Sequence, residues 1–170
     1  MKTLLVTTAA CALALALGPA AQARGYEAQV VRTKYGVPHV TAKDFGGLGY
    51  GQAYAFAQDN LCLLADKIVT VNGERTKHFG PDATNVVAFT DIKNLESDLF
   101  FRANIDIETL RANFAKGSAD YRELVEGYVA GFNRYLADTP REKRQADCRD
   151  AAWVRDITID DMLLLNEERM

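Results

Sequence analysis

The sequence has 170 residues, a formal net charge of −3 and an ordinary balance of apolar and charged residues, enough for one domain with a real core. The clustered positive charge that a nucleic-acid partner would require is missing. The densest basic run, REKRQADCR over residues 141–149, is interleaved with Glu142 and Asp147 and reads as a solvated loop.

Residues 1–23 have the pattern of a secretory signal peptide: Lys2, a run from Leu4 to Leu17 that is apolar apart from two threonines, a Gly18-Pro19 break, and Ala21-Gln22-Ala23 before the expected cut. The apolar run is shorter than the roughly 20 residues that cross a bilayer, so no membrane anchor is expected and the product is placed in the periplasm or outside the cell. Cleavage removes Cys11 and leaves residues 24–170 as one region with two cysteines, Cys62 and Cys148. In an oxidising compartment these are expected to pair, with two free buried thiols as the alternative. A bridge closing so long a loop would contribute about 4 kcal/mol in the chain-entropy account.

Residues 26–42 carry β-branched side chains on both sides of Tyr35-Gly36-Val37-Pro38, which predicts two short strands or a hairpin. Ala53, Ala57, Leu61, Leu64 and Ile68 then recur at three and four, predicting a helix over 48–71 with Asn72-Gly73 as its stop. Residues 80–98, rich in Asn and Asp, read as a long loop with short local structure. Asp106 and Gly117 bracket a helix over 107–116, and Asp120 with Glu123 has capping-box spacing for a helix over 121–136. Gly127 and Gly131 inside that helix cost about 1 kcal/mol each relative to alanine, which predicts a close neighbour there. Thr158 and Asp161 open a last helix at Ile159. Met170 falls within its apolar pattern, DDMLLLNEERM, so the sequence is expected to be part of a longer product.

The glycine cluster Gly46, Gly47, Gly49, Gly51 raises the question of a phosphate loop. Gln52 stands where G-x-G-x-x-G needs its third glycine, and the Lys and Ser or Thr of a P-loop are missing. Close backbone packing at a helix start is the better account. For nucleophilic catalysis the chain offers only Ser97 and Ser118 with His39 and His78. Both serines sit at cap or turn positions; His39 reads as a hydrogen-bonded structural residue and His78 as exposed. No His or Cys pair has metal-ligand spacing, and no cofactor is expected. The adjacent pairs Asp160-Asp161 and Glu167-Glu168 point to different helix faces and suit solvent better than acid–base work.

A chain with no catalytic set is either a non-enzymatic exported helical binding domain or part of an active site completed elsewhere. Tyr35-Gly36-Val37-Pro38-His39-Val40, Gly49-Tyr50-Gly51 with Tyr54-Ala55-x-Ala57-x-Asp59-Asn60, Gly73-Glu74-Arg75 and Phe79-Gly80 form the first part of an ordered series. Asp98 with Arg102, Gly127-Tyr128-x-x-Gly131-x-Asn133-x-Tyr135-Leu136, and Trp153 before Asp160-Asp161 continue it. The series resembles the N-terminal chain of the penicillin amidase family of N-terminal-nucleophile hydrolases. Asp59-Asn60-x-Cys62-Leu63-Leu64-Ala65, Ile68-Val69-Thr70 and Cys148 are most similar to its acyl-homoserine-lactone acylase and aculeacin acylase branch.

The resemblance implies an α+β fold: a mostly helical α chain of a heterodimer, whose αββα sandwich is completed by the β chain of the same precursor. It implies a small-molecule N-acyl substrate, with an acyl-homoserine lactone ahead of a penicillin or lipopeptide. The nucleophile would be the N-terminal serine of the β chain, so no catalytic residue is expected among residues 1–170. Arg169 and Met170 fall where the family contributes substrate-pocket residues. The family's metal-ligand glutamate would lie beyond Met170, so no metal ligand is carried over.

Overall fold

The computed structural model describes residues 25–87 and 89–167. The expected signal peptide, residues 1–23, lies outside the described residues. The fold is α+β, mostly helical with two small antiparallel hairpins.

Strands β1 (Ala28–Arg32) and β2 (Pro38–Ala42) pair in register Ala28↔Ala42 through Arg32↔Pro38. Thr33 shapes the turn, its Oγ1 accepting from the amides of Tyr35 at 3.3 Å and Val37 at 3.2 Å, while Gly36 supplies the left-handed backbone at φ +83°. Helix α1 follows at once (Phe45–Val71), capped by Asp44, which accepts from the Gly47 amide at 2.6 Å. It thus begins earlier than the apolar stripe predicts, and the four glycines lie within its first two turns.

Helix α1 crosses α5 (Ala119–Asp138), and the glycines make the crossing. A Cβ on Gly127 would fall on the Gly46 carbonyl oxygen, one on Gly131 on that of Tyr50, and one on Gly49 on that of Leu124. Backbone therefore packs on backbone, the neighbour that Gly127 and Gly131 predicted. Gly51 lets the hairpin close onto the same helix, since a Cβ there would meet Ala28 and Val40. The cap of α5 is Ser118, whose Oγ accepts from the Tyr121 amide at 3.2 Å; the predicted Asp120–Glu123 box is not the cap.

Below the crossing, the predicted α1 stripe Ala53, Ala57, Leu61, Leu64 and Ile68 is buried against Val125, Phe132 and Leu136 of α5 and Met162 and Leu165 of α6 (Ile159–Glu167). Helix α6 opens on the predicted capping box: Asp161 accepts from the Thr158 amide at 2.7 Å, and Thr158 Oγ1 accepts from the Asp161 amide at 3.2 Å. The short helix α2 (Arg75–Phe79) follows α1, and α4 (Ile107–Lys116) lies beside α6 with Asp106 as its cap.

Within residues 80–98 the predicted short local structure is regular. They form strands β3 (Thr84–Val87) and β4 (Thr90–Lys93) and the first turn of α3 (Asn94–Asn104). Helix α3 is inverted. Its buried positions Asn94, Ser97, Asp98 and Phe101 have helical spacing but are mainly polar, while Leu95, Leu99 and Phe100 face outward. A search for an apolar stripe misses such a helix.

Candidate functional site

None of the side chains that could act as nucleophile or base is paired for catalysis among the described residues. Ser97 is fully buried in α3 and its Oγ has no partner; Ser118 is a helix cap. His39 stands exposed on β2, contrary to the structural role the sequence suggested, and His78 is half-buried against the Phe79 ring. No group of three or more His, Cys, Asp or Glu that could hold a metal occurs among the described residues. No helix among them is long and apolar enough to cross a membrane.

Cys62 and Cys148 are bonded, at an S–S distance of 2.06 Å and a Cα separation of 5.5 Å. Arg169 and Met170, the predicted substrate contacts, lie outside the described residues, and helix α6 leads toward them. Beside α6 is a cleft of about 150 Å³, walled by Leu110 and Phe114 of α4, Tyr121 of α5, and Leu163 and Asn166 of α6. The Arg111 guanidinium spans from α4 to the Asp160 carboxylate of α6 and holds that carboxyl below the usual range.

A second groove, about 570 Å³, runs between the β1–β2 hairpin, α1 and α5. Its floor is Ala28, Val30 and Gly51; Tyr54, Arg134 and Asp138 rim one side. Arg134 Nε donates to Asp138 at 2.8 Å, which keeps that carboxyl below its ordinary value. Burial, and then the neighbouring Asp138 charge, push the Tyr54 phenol up.

Two buried polar networks position the helices around these clefts. In one, Arg75 donates through Nε to Asn94 at 2.9 Å and through Nη1 to Asp66 and Thr70, both at 2.9 Å. Asp98 accepts from the amides of Arg75 and Thr76, both at 2.8 Å. In the other, Asp161 is buried and receives both Nη atoms of Arg155, at 2.8 and 2.9 Å, and Asn72 Nδ2 at 2.7 Å. Its burial opposes ionisation, but Arg155, the Thr158 amide and Asn72 outweigh that and hold the carboxyl below the ordinary range. The solvent-facing role expected for Asp161 is therefore corrected: the capping box brings it inward, and α1 and the Arg155 loop cover it.

Gln145, which no sequence signal marks, bridges the break in α1. Asn60 leaves helical geometry (φ −138°, ψ 34°); Gln145 Oε1 accepts from the Cys62 amide at 2.9 Å and its Nε2 donates to the Asp59 carbonyl. Asn133 belongs to the motif that spans residues 127–136 of α5. Its amide exchanges two hydrogen bonds with Ile157, at 2.8 and 2.9 Å, in place of a strand partner.

Comparison with known proteins matches residues 27–159 to the family described as penicillin amidase. An acyl-homoserine lactone acylase, PvdQ, of Pseudomonas fluorescens is 46% identical over 81% of this chain and 17% of its own length. An aculeacin-A acylase of Actinoplanes utahensis is 38% identical over 79% of this chain and 17% of its own. The chain thus spans about a fifth or less of the curated relatives it matches. A solved chain of the thermostable penicillin G acylase from Alcaligenes faecalis superposes with a TM-score of 0.72 at 28% identity, over 86% of this chain and 73% of that one. The chain belongs to the penicillin amidase family.

Proposed function

We propose that residues 24–170 are the α-chain region of an exported N-acyl amide hydrolase that deacylates long-chain acyl-homoserine lactones, acting in the periplasm or outside the cell to degrade such signals. The observation that carries this reading is the 46% identity to an acyl-homoserine lactone acylase over most of the chain, against 38% to an aculeacin-A acylase. The lack of any Ser–His pairing among the described residues suits a nucleophile carried by a second chain. So does the coverage: the chain accounts for 73% of a solved acylase chain but 17% of a curated acylase.

In this reading the β chain's N-terminal serine attacks the amide carbonyl, its own α-amine taking the proton through a water, so that one residue is nucleophile and base. Donors on the β chain stabilise the tetrahedral oxyanion, and the acyl-enzyme hydrolyses to fatty acid and homoserine lactone. The contribution of residues 24–170 is to wall the acyl pocket with α6 and the residues after it, including Arg169 and Met170; these residues have no activity alone.

The test is expression of the whole reading frame with its leader, N-terminal sequencing of the exported product, and assay against a long-chain acyl-homoserine lactone, penicillin G and an acylated lipopeptide. Two chains, one opening at Arg24 and the other at a serine, with the lactone as best substrate, are expected. A single uncleaved chain without amidase activity would overturn the mechanism. Two chains preferring penicillin G or the lipopeptide would overturn the substrate.

A further inference from the structure

We propose that the turn carrying Gln145 and Cys148 is a clamp that holds helix α1 in its kinked form, and that opening the Cys62–Cys148 bond releases the kink.

A helix interior normally satisfies its own amides and carbonyls, so a break with no proline must be held by something outside. Asn60 is that break, and backbone groups before and after it are taken by one side chain: the Asp59 carbonyl accepts from Gln145 Nε2 and the Cys62 amide, two residues on, donates to Oε1. An amide is suited to this because it offers a donor and an acceptor at once. The side chain is itself aimed by its turn. The Gln145 carbonyl accepts from the amides of Cys148 at 3.3 Å and Arg149 at 3.0 Å, so residues 145–149 form one tight turn. Cys148, 2% exposed, is bonded from that turn to the sulfur of Cys62, the residue whose amide Gln145 already holds. Arg144, next in sequence, anchors the turn to the end of α5 through the carbonyls of Leu136 at 2.7 Å and Thr139 at 2.9 Å.

The kink therefore has two attachments from one turn, one covalent and one hydrogen-bonded. It divides α1 into two working halves. The first half carries Gly46, Gly49 and Gly51, which seat the hairpin and α5; the second carries Asp66, Thr70 and Asn72, which reach the Arg75 and Asp161 networks. A dithiol can open the clamp by exchange: its two thiols pass two electrons and two protons to the bridge, leaving Cys62 and Cys148 as thiols and the dithiol as a cyclic disulfide. Gln145 then holds the break alone, at a site whose local concentration the covalent bond no longer fixes.

This inference does not depend on which amide the enzyme cleaves. It is tested on the exported full-length product by hydrogen exchange with mass spectrometry of the segment 59–63, oxidised and after reduction with a dithiol and alkylation. Reduction is expected to speed exchange of the Cys62 amide at least tenfold. Gln145→Met, which keeps the size and removes both bonds, should speed it to a similar degree while the disulfide stays intact. Gln145→Glu, which still accepts from Cys62 but cannot donate to Asp59, should fall between. Exchange unmoved by reduction, or identical in the Met, Glu and parent proteins, would overturn the clamp. If the Met variant does not accumulate, the reduced and oxidised parent protein and the Glu variant still decide it.

Discussion

The α1–α5 seam and the outer face of α3 are built on opposite plans. At the seam the sequence removes side chains: Gly49, Gly127 and Gly131 let one helix backbone rest on another, and beyond it the disulfide ties Cys62 of α1 to the turn that follows α5. On α3 it turns the helix inside out, burying Asn94 against the Arg75 guanidinium and Asp98 against the amides of Arg75 and Thr76, while Leu95 and Leu99 stand 47% and 60% exposed. The seam is complete within these residues. The α3 face leaves leucines on the surface.

The contrast can be broken most strongly at the seam. Replacing both Cys62 and Cys148 with alanine is expected to lower stability by about 4 kcal/mol in the loop-entropy account, read from chemical unfolding of the full-length product. Gly127→Ala should cost about 3 kcal/mol, the upper end for overpacking, because the group it meets is the Gly46 carbonyl and not a side chain able to turn away. Gly36→Ala, at a positive φ with open space around it, should cost about 1 kcal/mol, so the pair separates crowding from backbone strain.

Asp161→Ala should cost about 2 kcal/mol, since Asn72, Arg155 and the Thr158 amide lose a shared acceptor. The pH dependence carries a definite sign. The folded pKa of Asp161 is lowered, so its stabilisation is present above its unfolded value, about 4, and is lost as the pH falls through the folded value. Asp161→Asn should therefore give a flatter acid limb below about pH 4 than the parent protein. A parallel acid limb in both proteins would remove Asp161 from the account.

The smallest effect on folding is expected on α3, where Leu99→Lys should change the intrinsic stability of this region by no more than about 0.5 kcal/mol. If the face is covered by the β chain, the same change should sharply reduce the yield of assembled enzyme in size-exclusion chromatography. Unchanged assembly would show the face to be plain surface.

The sequence made the seam legible because glycine inside a helix has a cost that only a close neighbour explains, and because the stripe from Ala53 to Ile68 has one clear period. The Cys62–Cys148 pairing is legible from the count of cysteines and the expected oxidising compartment. The boundaries of α1 and α5 shifted because Asp44 and Ser118, each just outside the apolar pattern, are the caps. Helix α3 was not legible: its buried residues are polar, and their partner, Arg75, lies 19 residues from Asn94. Gln145 was equally silent, since its role exists only once residues 83 and 86 positions away are brought to it. The acyl-pocket residues proposed at Arg169 and Met170 rest on the family's order of motifs alone.

The reciprocal bonds between Asn133 and Ile157 have an evolutionary corollary. Together with the bridge at Cys148 they nail the connection between α5 and α6 at two fixed points. Between those points Arg155 holds the buried Asp161 of α6 and Trp153 meets the Phe79 ring, so the stretch has no slack. Relatives should therefore vary little in length between residues 149 and 156, and a short glycine-serine insertion there should loosen α6.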